Sequence, residues 1–321
     1  MKGKWNVLII GAGRMGAFSD NPGSESITSL AHGFSYFDEF NIAGFVDSDG
    51  MKAQKAAEIW GGEGYSGLDH AFGNRVDVVC IAVPDKLHYK TVIDVLHYKF
   101  ELLILEKPIS PDYSEAEAIE KAVKASGRKC LVNYTRRFLP EFRDLSLRIQ
   151  KNEFGGFITG NAYYDKGLMH NGSHMIDLIR FLLGDIIDCR PLLFVKDFYD
   201  DDPSISSALF LENSKAINLM CADCRYYTAF ELDLLFEKQR VRIVDFGRRI
   251  EYFSVKEDDD FDGYLSLSRY SEQATSYYKS AYYTAECTLN LLKASEGCGE
   301  NLSDSLEVLR ICRDIRGGIE I

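Results

Sequence analysis

The stretch His170-Asn171-Gly172-Ser173-His174 places two of the chain's six histidines four residues apart, just ahead of the apolar run "MIDLIRFLL". Imidazole is the side chain whose ordinary pKa lies nearest neutrality, so the pair offers proton transfer, anion binding or metal ligation. Lys107, inside "EKP" (106–108), adds a cationic donor that can stabilise a developing alkoxide. Oxidising an alcohol needs these parts together with a hydride acceptor. Two histidines without further placed acidic or cysteine ligands are too few for a defined metal site, and Cys221 and Cys224 form a lone CxxC with no second pair, so no metal is expected.

A hydride acceptor has a place in "GAGRMG" (11–16), which directly follows an apolar strand run. Gly11 permits a tight turn, Gly13 lets backbone approach a pyrophosphate, and Gly16 allows close packing of the next helix. The amides of this loop, Arg14 and Met15 included, then face phosphate at the positive end of a helix. The carboxylate for the ribose is Asp47, at the end of "IAGFVD". It lies further on than the usual spacing of about 20 residues, and Asn21-Pro22-Gly23 accounts for the excess as an inserted loop, with the crossover helix starting near Ser26. A carboxylate there repels a 2′-phosphate, so NAD is expected ahead of NADP. Val83, Pro84 and His88 of "AVPDKLH" (82–88), with Glu106 and Lys107, are the remaining cofactor-site candidates. His88 also reads as a packing residue on its helix.

These groups must be carried by ordered elements. The chain has 321 residues, 46% of them hydrophobic, which suits about two domains with sizeable cores. A net charge of −12 excludes a general nucleic-acid binder, which needs a basic surface. The acidic runs at 200–202 and 257–260 read as solvated turns. No apolar stretch reaches the roughly 20 residues of a membrane span. The start "MKGKWNVLII" reads as a strand and not a signal peptide, so the eight cysteines are expected to be reduced and the protein cytoplasmic.

Up to about residue 130, apolar strand runs (6–11, 42–47, 76–84, 102–108) alternate with helical patterns (50–60, 86–98, 112–126). This predicts a doubly wound parallel sheet, an α/β Rossmann domain over 1–130. Over 131–321, helical patterns at 140–151 and 173–183 precede six successive strand runs between 186 and 255, and two helices near 274–294 and 303–316 follow. This predicts an α+β domain with a large, open, mainly antiparallel sheet, serving substrate binding and oligomerisation.

The motifs "GAGRMG", "AVPDKLH", "EKP", "VNYTRRF" (132–138) and "GSHMIDLIRFLLGD" (172–185) occur in the order seen in the Gfo/Idh/MocA oxidoreductases, which the chain resembles over about residues 5–185. The resemblance implies NAD(P)-dependent hydride transfer on sugars, cyclitols or nucleotide sugars by a homodimer or homotetramer. It also implies that Lys107 and His174, the latter from a DxGxH motif, are the catalytic residues. Here the motif's aspartate is replaced by His170.

In this reading His174 is the acid/base, helped by a helix N-terminus that disfavours the imidazolium, and Lys107 stabilises the reacting oxygen. His170 has four readings: an atypical catalytic partner, a ligand for a substrate phosphate or carboxylate, a sign of lost turnover, or a non-catalytic loop histidine. Tyr134, Arg137, Tyr164 and Asp177 are the substrate-binding candidates, with one of Arg136 and Arg137 equally suited to a protein carboxylate. The alternative to an enzyme is a dinucleotide-binding regulator or scaffold. A weaker third reading is redox-neutral chemistry with retained NAD.

Overall fold

The computed structural model describes residues 3–212, 214–294 and 299–320. The chain forms two compact units, Met1–Phe138 with Tyr278–Glu307, and Leu139–Tyr277 with Val308–Ile321. A boundary drawn near 130 makes no provision for the return of 278–307 to the first unit.

The first unit carries β1 (Trp5–Ile10), α1 (Leu30–Ser35), β2 (Phe40–Val46), α2 (Gly50–Trp60), β3 (Glu63–Tyr65), α3 (Leu68–Ala71), β4 (Val78–Ile81), α4 (His88–Val95), β5 (Leu102–Leu105), α5 (Tyr113–Ser126) and β6 (Lys129–Val132). All neighbours in the six-stranded sheet are parallel, in the order β3-β2-β1-β4-β5-β6. Every side chain of β4 and β5 is buried. That explains their unbroken Val/Ile/Leu/Cys composition, each large apolar side chain contributing about 1.5–3 kcal/mol. Asp49 and Asp112 cap α2 and α5 by accepting amide hydrogen bonds, and Gly127 ends α5 at φ 68°. Strand β3, at three residues, is too short to announce itself by periodicity.

The inserted loop ahead of α1 is tied down by one buried carboxylate. Asp20 accepts from the Ser29 hydroxyl at 2.5 Å, from the amides of Thr28 and Ser29 at 2.5 and 3.1 Å, and lies 3.1 Å from His32 Nδ1. Burial alone would raise the Asp20 pKa, but the hydrogen bonds from Ser29, Thr28 and His32 together outweigh it and hold the carboxyl below its ordinary value. His32 in turn packs against Trp60, whose indole N–H donates to the Ala17 carbonyl at 2.9 Å.

The second unit opens with α6 (Pro140–Gln150), β7 (Phe157–Tyr164) and α7 (Ser173–Leu183). Strands β8 (Ile186–Val195), β9 (Ser204–Leu211), β10 (Ala216–Cys221), β11 (Phe230–Phe236), β12 (Gln239–Val244), β13 (Arg249–Glu257) and β14 (Leu265–Ala274) follow. They join β7 in an eight-stranded sheet ordered β14-β13-β12-β11-β7-β10-β9-β8. The pairing is antiparallel except for β7 with β10, as direct strand-to-strand succession predicts. Strands β7 and β14 lie outside the six strand runs read from the sequence.

The chain ends with α8 (Ser280–Leu292) and α9 (Leu302–Gly317). The aromatic-rich helix α8 packs in the first unit against α1, where a Cβ on Gly33 would lie 2.2 Å from the Ala281 carbonyl oxygen. Cys80, Cys130, Cys189, Cys221, Cys224 and Cys312 are free thiols. Cys287 departs from the expectation of reduced cysteines, being disulfide-bonded. Among the described residues no helix is long and apolar enough to cross a membrane.

Asp20→Asn should destabilise the protein by about 1–3 kcal/mol at neutral pH, since buried donors lose an ionised acceptor. The depressed folded pKa means that Asp20 stabilises the fold above its unfolded value of 3.8 and loses that contribution as pH falls below it. Urea denaturation in steps towards and below 3.8 should therefore show the gap between wild type and variant closing.

Candidate active site

The glycine turn at the end of β1 is built by close backbone approaches. Gly11 has φ +100°, and a Cβ there would lie 2.4 Å from the Ala82 carbonyl oxygen. A Cβ on Gly16 would lie 2.0 Å from the Gly11 carbonyl oxygen. Gly13 differs, because a Cβ there meets nothing within 4 Å. The outer glycines serve the protein's own packing, and the middle one faces open space from which a ligand can reach the backbone.

The turn then winds into a single wide helical turn over Arg14–Phe18, with the amides of Ala17 and Phe18 both donating to the Gly13 carbonyl at 2.9 and 3.1 Å. The amides opening such a turn have no acceptor within it and point outward, which suits an anion. Asn21-Pro22-Gly23 forms the expected turn, with the Ser24 amide donating to the Asn21 carbonyl at 3.0 Å. Helix α1 starts at Leu30 under a Ser29 cap, four residues beyond the expected position near Ser26, because Asp20 holds residues 28 and 29 in the loop.

Asp47 follows β2 and accepts the Ala12 amide on Oδ2 and the Asp49 amide on Oδ1, both at 2.9 Å. Each carboxylate oxygen has capacity for a second hydrogen bond. The carboxylate is thus locked to the glycine turn and suited to ribose hydroxyls. The open Gly13, the outward amides and Asp47 fit a dinucleotide.

Val83 and Pro84 follow β4, and Lys107 follows β5. The Lys107–Pro108 peptide is cis. His88 is buried, with Nδ1 2.8 Å from the Pro108 carbonyl and Nε2 3.1 Å from the Val83 carbonyl. Burial pushes its pKa down, against the pull of the Pro108 and Val83 carbonyls. The packing reading of His88 is favoured over cofactor contact, because its buried ring lies between the Pro108 and Val83 carbonyls, to one of which the neutral ring donates.

Glu106 is also buried, and its Oε1 accepts from Asn133 Nδ2 at 2.6 Å while Asn133 Oδ1 accepts from Thr284 at 2.8 Å. Burial raises its pKa, opposed by the Asn133 bond and the Lys107 charge. Glu106 therefore anchors the strand end inward through Asn133. Asn133 and Thr284 carried no sequence signal.

In the second unit, β7 leads to a wide helical turn over Leu168–Gly172 that runs without a break into α7. The amides of Asn171 and Gly172 donate to the Gly167 carbonyl, each at 3.0 Å. Helical hydrogen bonding thus begins at Gly167, and His174 lies in the second turn of the combined segment. The expectation that a helix N-terminus acts directly on His174 is corrected: the exposed amides at that end belong to Met169 and His170. Asp202 takes them, accepting the Met169 amide at 2.9 Å and the His170 amide at 3.1 Å.

Asp202 also accepts from His170 Nδ1 at 2.7 Å, and the His170 ring stacks on Tyr199 at 3.9 Å between centroids. Asp202 is buried, so the solvated-turn reading of 200–202 is wrong for this residue. The β8–β9 connection folds the end of that acidic run onto the turn, with the Leu168 amide donating to the Pro203 carbonyl at 3.1 Å. The run at 257–260 is an exposed turn, as expected, with Asp258 accepting the amides of Asp260 and Phe261.

The substrate-binding candidates are engaged within their own units. Tyr134 and Tyr164 are buried in the core. The Tyr164 hydroxyl donates to the Ile205 carbonyl at 2.8 Å and accepts its amide at 2.6 Å. Arg137 Nη1 pairs with Asp304 Oδ2 at 2.9 Å, the protein-carboxylate option raised for this arginine pair. Asp177 is on the buried side of α7. Each of these four serves packing or an internal bond. Among the described residues no group of three or more His, Cys, Asp and Glu could hold a metal ion.

A parallel sheet with this loop and this carboxylate defines a dinucleotide-binding Rossmann domain. Residues 5–134 match the oxidoreductase family with NAD-binding Rossmann fold, Gfo/Idh/MocA. Over those residues the chain is similar to that family's NAD-binding domain. It is 32% identical over 195 residues to inositol 2-dehydrogenase 1 of Paenarthrobacter aurescens, a match covering 56% of this chain and 55% of that protein. The chain therefore spans about half the length of the curated relatives it matches. In fold it is similar to a UDP-N-acetylglucosamine 3-dehydrogenase of Acidithiobacillus ferrooxidans, with TM-score 0.79, 16% identity, and 98% and 97% of the two chains covered. A putative myo-inositol dehydrogenase of Sinorhizobium meliloti gives TM-score 0.75 at 17% identity, with 99% of each chain covered.

The three glycines should separate on substitution. Gly16→Ala should cost about 1–3 kcal/mol of stability, since its Cβ collides with backbone. Gly13→Ala should leave the melting temperature nearly unchanged and weaken NAD binding tenfold or more, as read by thermal melts and by titration of the dinucleotide.

Proposed function

We propose that the chain is an NAD-dependent oxidoreductase that moves a hydride between nicotinamide and the CH–OH or carbonyl carbon of a sugar, cyclitol or nucleotide sugar. The observation that carries this reading is the open approach to Gly13 beside the locked Asp47 carboxylate. The inositol dehydrogenase relatives support a polyol as the substrate class. Asp47 supports NAD over NADP, because a carboxylate beside the ribose repels a 2′-phosphate.

The bound nicotinamide supplies the hydride acceptor. His174, half-buried on α7, takes the hydroxyl proton during oxidation and returns it during reduction. Lys107 donates a hydrogen bond to the reacting oxygen and stabilises negative charge that develops there. The reading requires both residues to meet one substrate. Exposed apolar side chains on the second sheet, among them Ile158, Tyr163, Ile187 and Leu193, support self-association in a cytoplasmic homo-oligomer.

Nicotinamide absorbance during incubation with NAD and a panel of cyclitols, sugars and nucleotide sugars should reveal turnover. His174→Ala should lower kcat about 10²–10⁴-fold. Asp47→Ser should narrow the preference for NAD over NADP. No turnover with any member of the panel, despite tight NAD binding, would replace this reading with a dinucleotide-binding regulator.

A further inference from the structure

His170 takes the place of a motif carboxylate, yet the turn that carries it has a carboxylate at its centre. Asp202 arrives from the β8–β9 connection, 32 residues along the chain. It receives three hydrogen bonds from the turn and its ring: the Met169 amide, the His170 amide and His170 Nδ1. Gly167 admits it, since a Cβ there would lie 2.1 Å from Asp202 Oδ2. On one face the His170 ring is held by Tyr199, 17° from coplanar. With the ring's orientation set from one edge and one face, the His170 side chain is still 28% exposed.

We infer that Asp202 is a positioning residue acting through His170. The Asp202 carboxylate already accepts the Met169 and His170 amides, so it also accepts from Nδ1, which then carries the proton, and the lone pair of the neutral ring resides on Nε2. The carboxylate thereby gives His170 the polarity of the group it replaces, presenting an acceptor where a carboxylate oxygen would have been one. On the oxidoreductase reading above, on which this inference rests, Nε2 accepts a hydrogen bond from a hydroxyl of the polyol substrate. His170 is then a substrate-orienting residue, distinct from the proton-transferring His174, and its negative partner keeps the turn from becoming a cationic site for phosphate or carboxylate.

Three observations are testable together. In the full-length wild-type protein, long-range proton–nitrogen NMR correlations at a pH where the ring is neutral should place the His170 proton on Nδ1. A dominant Nε2–H tautomer overturns the inference, and this readout needs no turnover. Steady-state kinetics should then show His170→Phe, which keeps a ring on Tyr199, and the near-isosteric Asp202→Asn each lowering kcat/KM about tenfold or more, mainly through KM. The His170→Phe/Asp202→Asn double variant should be no worse than His170→Phe alone, because a residue acting through another adds nothing once that other is gone. Multiplying losses would overturn the inference, as would unchanged KM in both single variants. If the wild type turns over no member of the panel, the oxidoreductase reading fails, while the tautomer measurement still decides whether Asp202 orients the ring.

Discussion

The backbone of Gly11 lies against the Ala82–Val83 peptide with no room for a Cβ, and the dinucleotide site depends on that approach. It brings the end of β1 against the end of β4. The Gly11 amide reaches the Val46 carbonyl at 2.7 Å, so β2 is held at the same level. Asp47 then falls within reach of the Ala12 amide. His88 extends the connection by bridging the loops that follow β4 and β5, which places Lys107 at the same end of the sheet. A chain of short polar contacts thus aligns four strand ends, and buried aliphatic strands behind them give those contacts a rigid base.

Buried carboxylates do the corresponding work where regular structure stops. Asp20 organises the loop before α1, Glu106 anchors the end of β5 through Asn133, and Asp202 caps the turn before α7. Each accepts at least one hydrogen bond, and an unpaired buried charge at any of these positions would be costly. Asp20 and Glu106 show that burial does not set protonation alone. Several hydrogen bonds depress the Asp20 pKa despite its burial, whereas fewer stabilising contacts leave Glu106 raised.

The second unit concentrates its polar chemistry in the irregular stretch between β7 and α7. Continuous helical bonding from Gly167 onward gives His174 a well-defined backbone, while the amides at the true start of the segment are absorbed by Asp202. The departure from the expected motif at His170 is accompanied by a carboxylate from elsewhere in the chain. That carboxylate, Asp202, lies 2.7 Å from the ring's Nδ1.

Local sequence was sufficient for whatever depends on local physics. Unbroken aliphatic runs specified the parallel strands, direct succession of strand runs specified the antiparallel sheet, and glycine spacing with Asp47 specified the dinucleotide loop. Asp49 and Asp112, which cap α2 and α5, act equally locally, within three residues. What escaped was set by contacts between residues far apart in the chain. Arg137 met Asp304, Tyr164 met the Ile205 backbone, and α8 returned to the first unit. Asp202 reads as one of three solvated aspartates until the β8–β9 connection folds it onto the Gly167–His170 turn. Only the tertiary structure decided which acidic residue replaced the missing one, because burial and hydrogen-bond partners are properties of position in space and not of position in the chain.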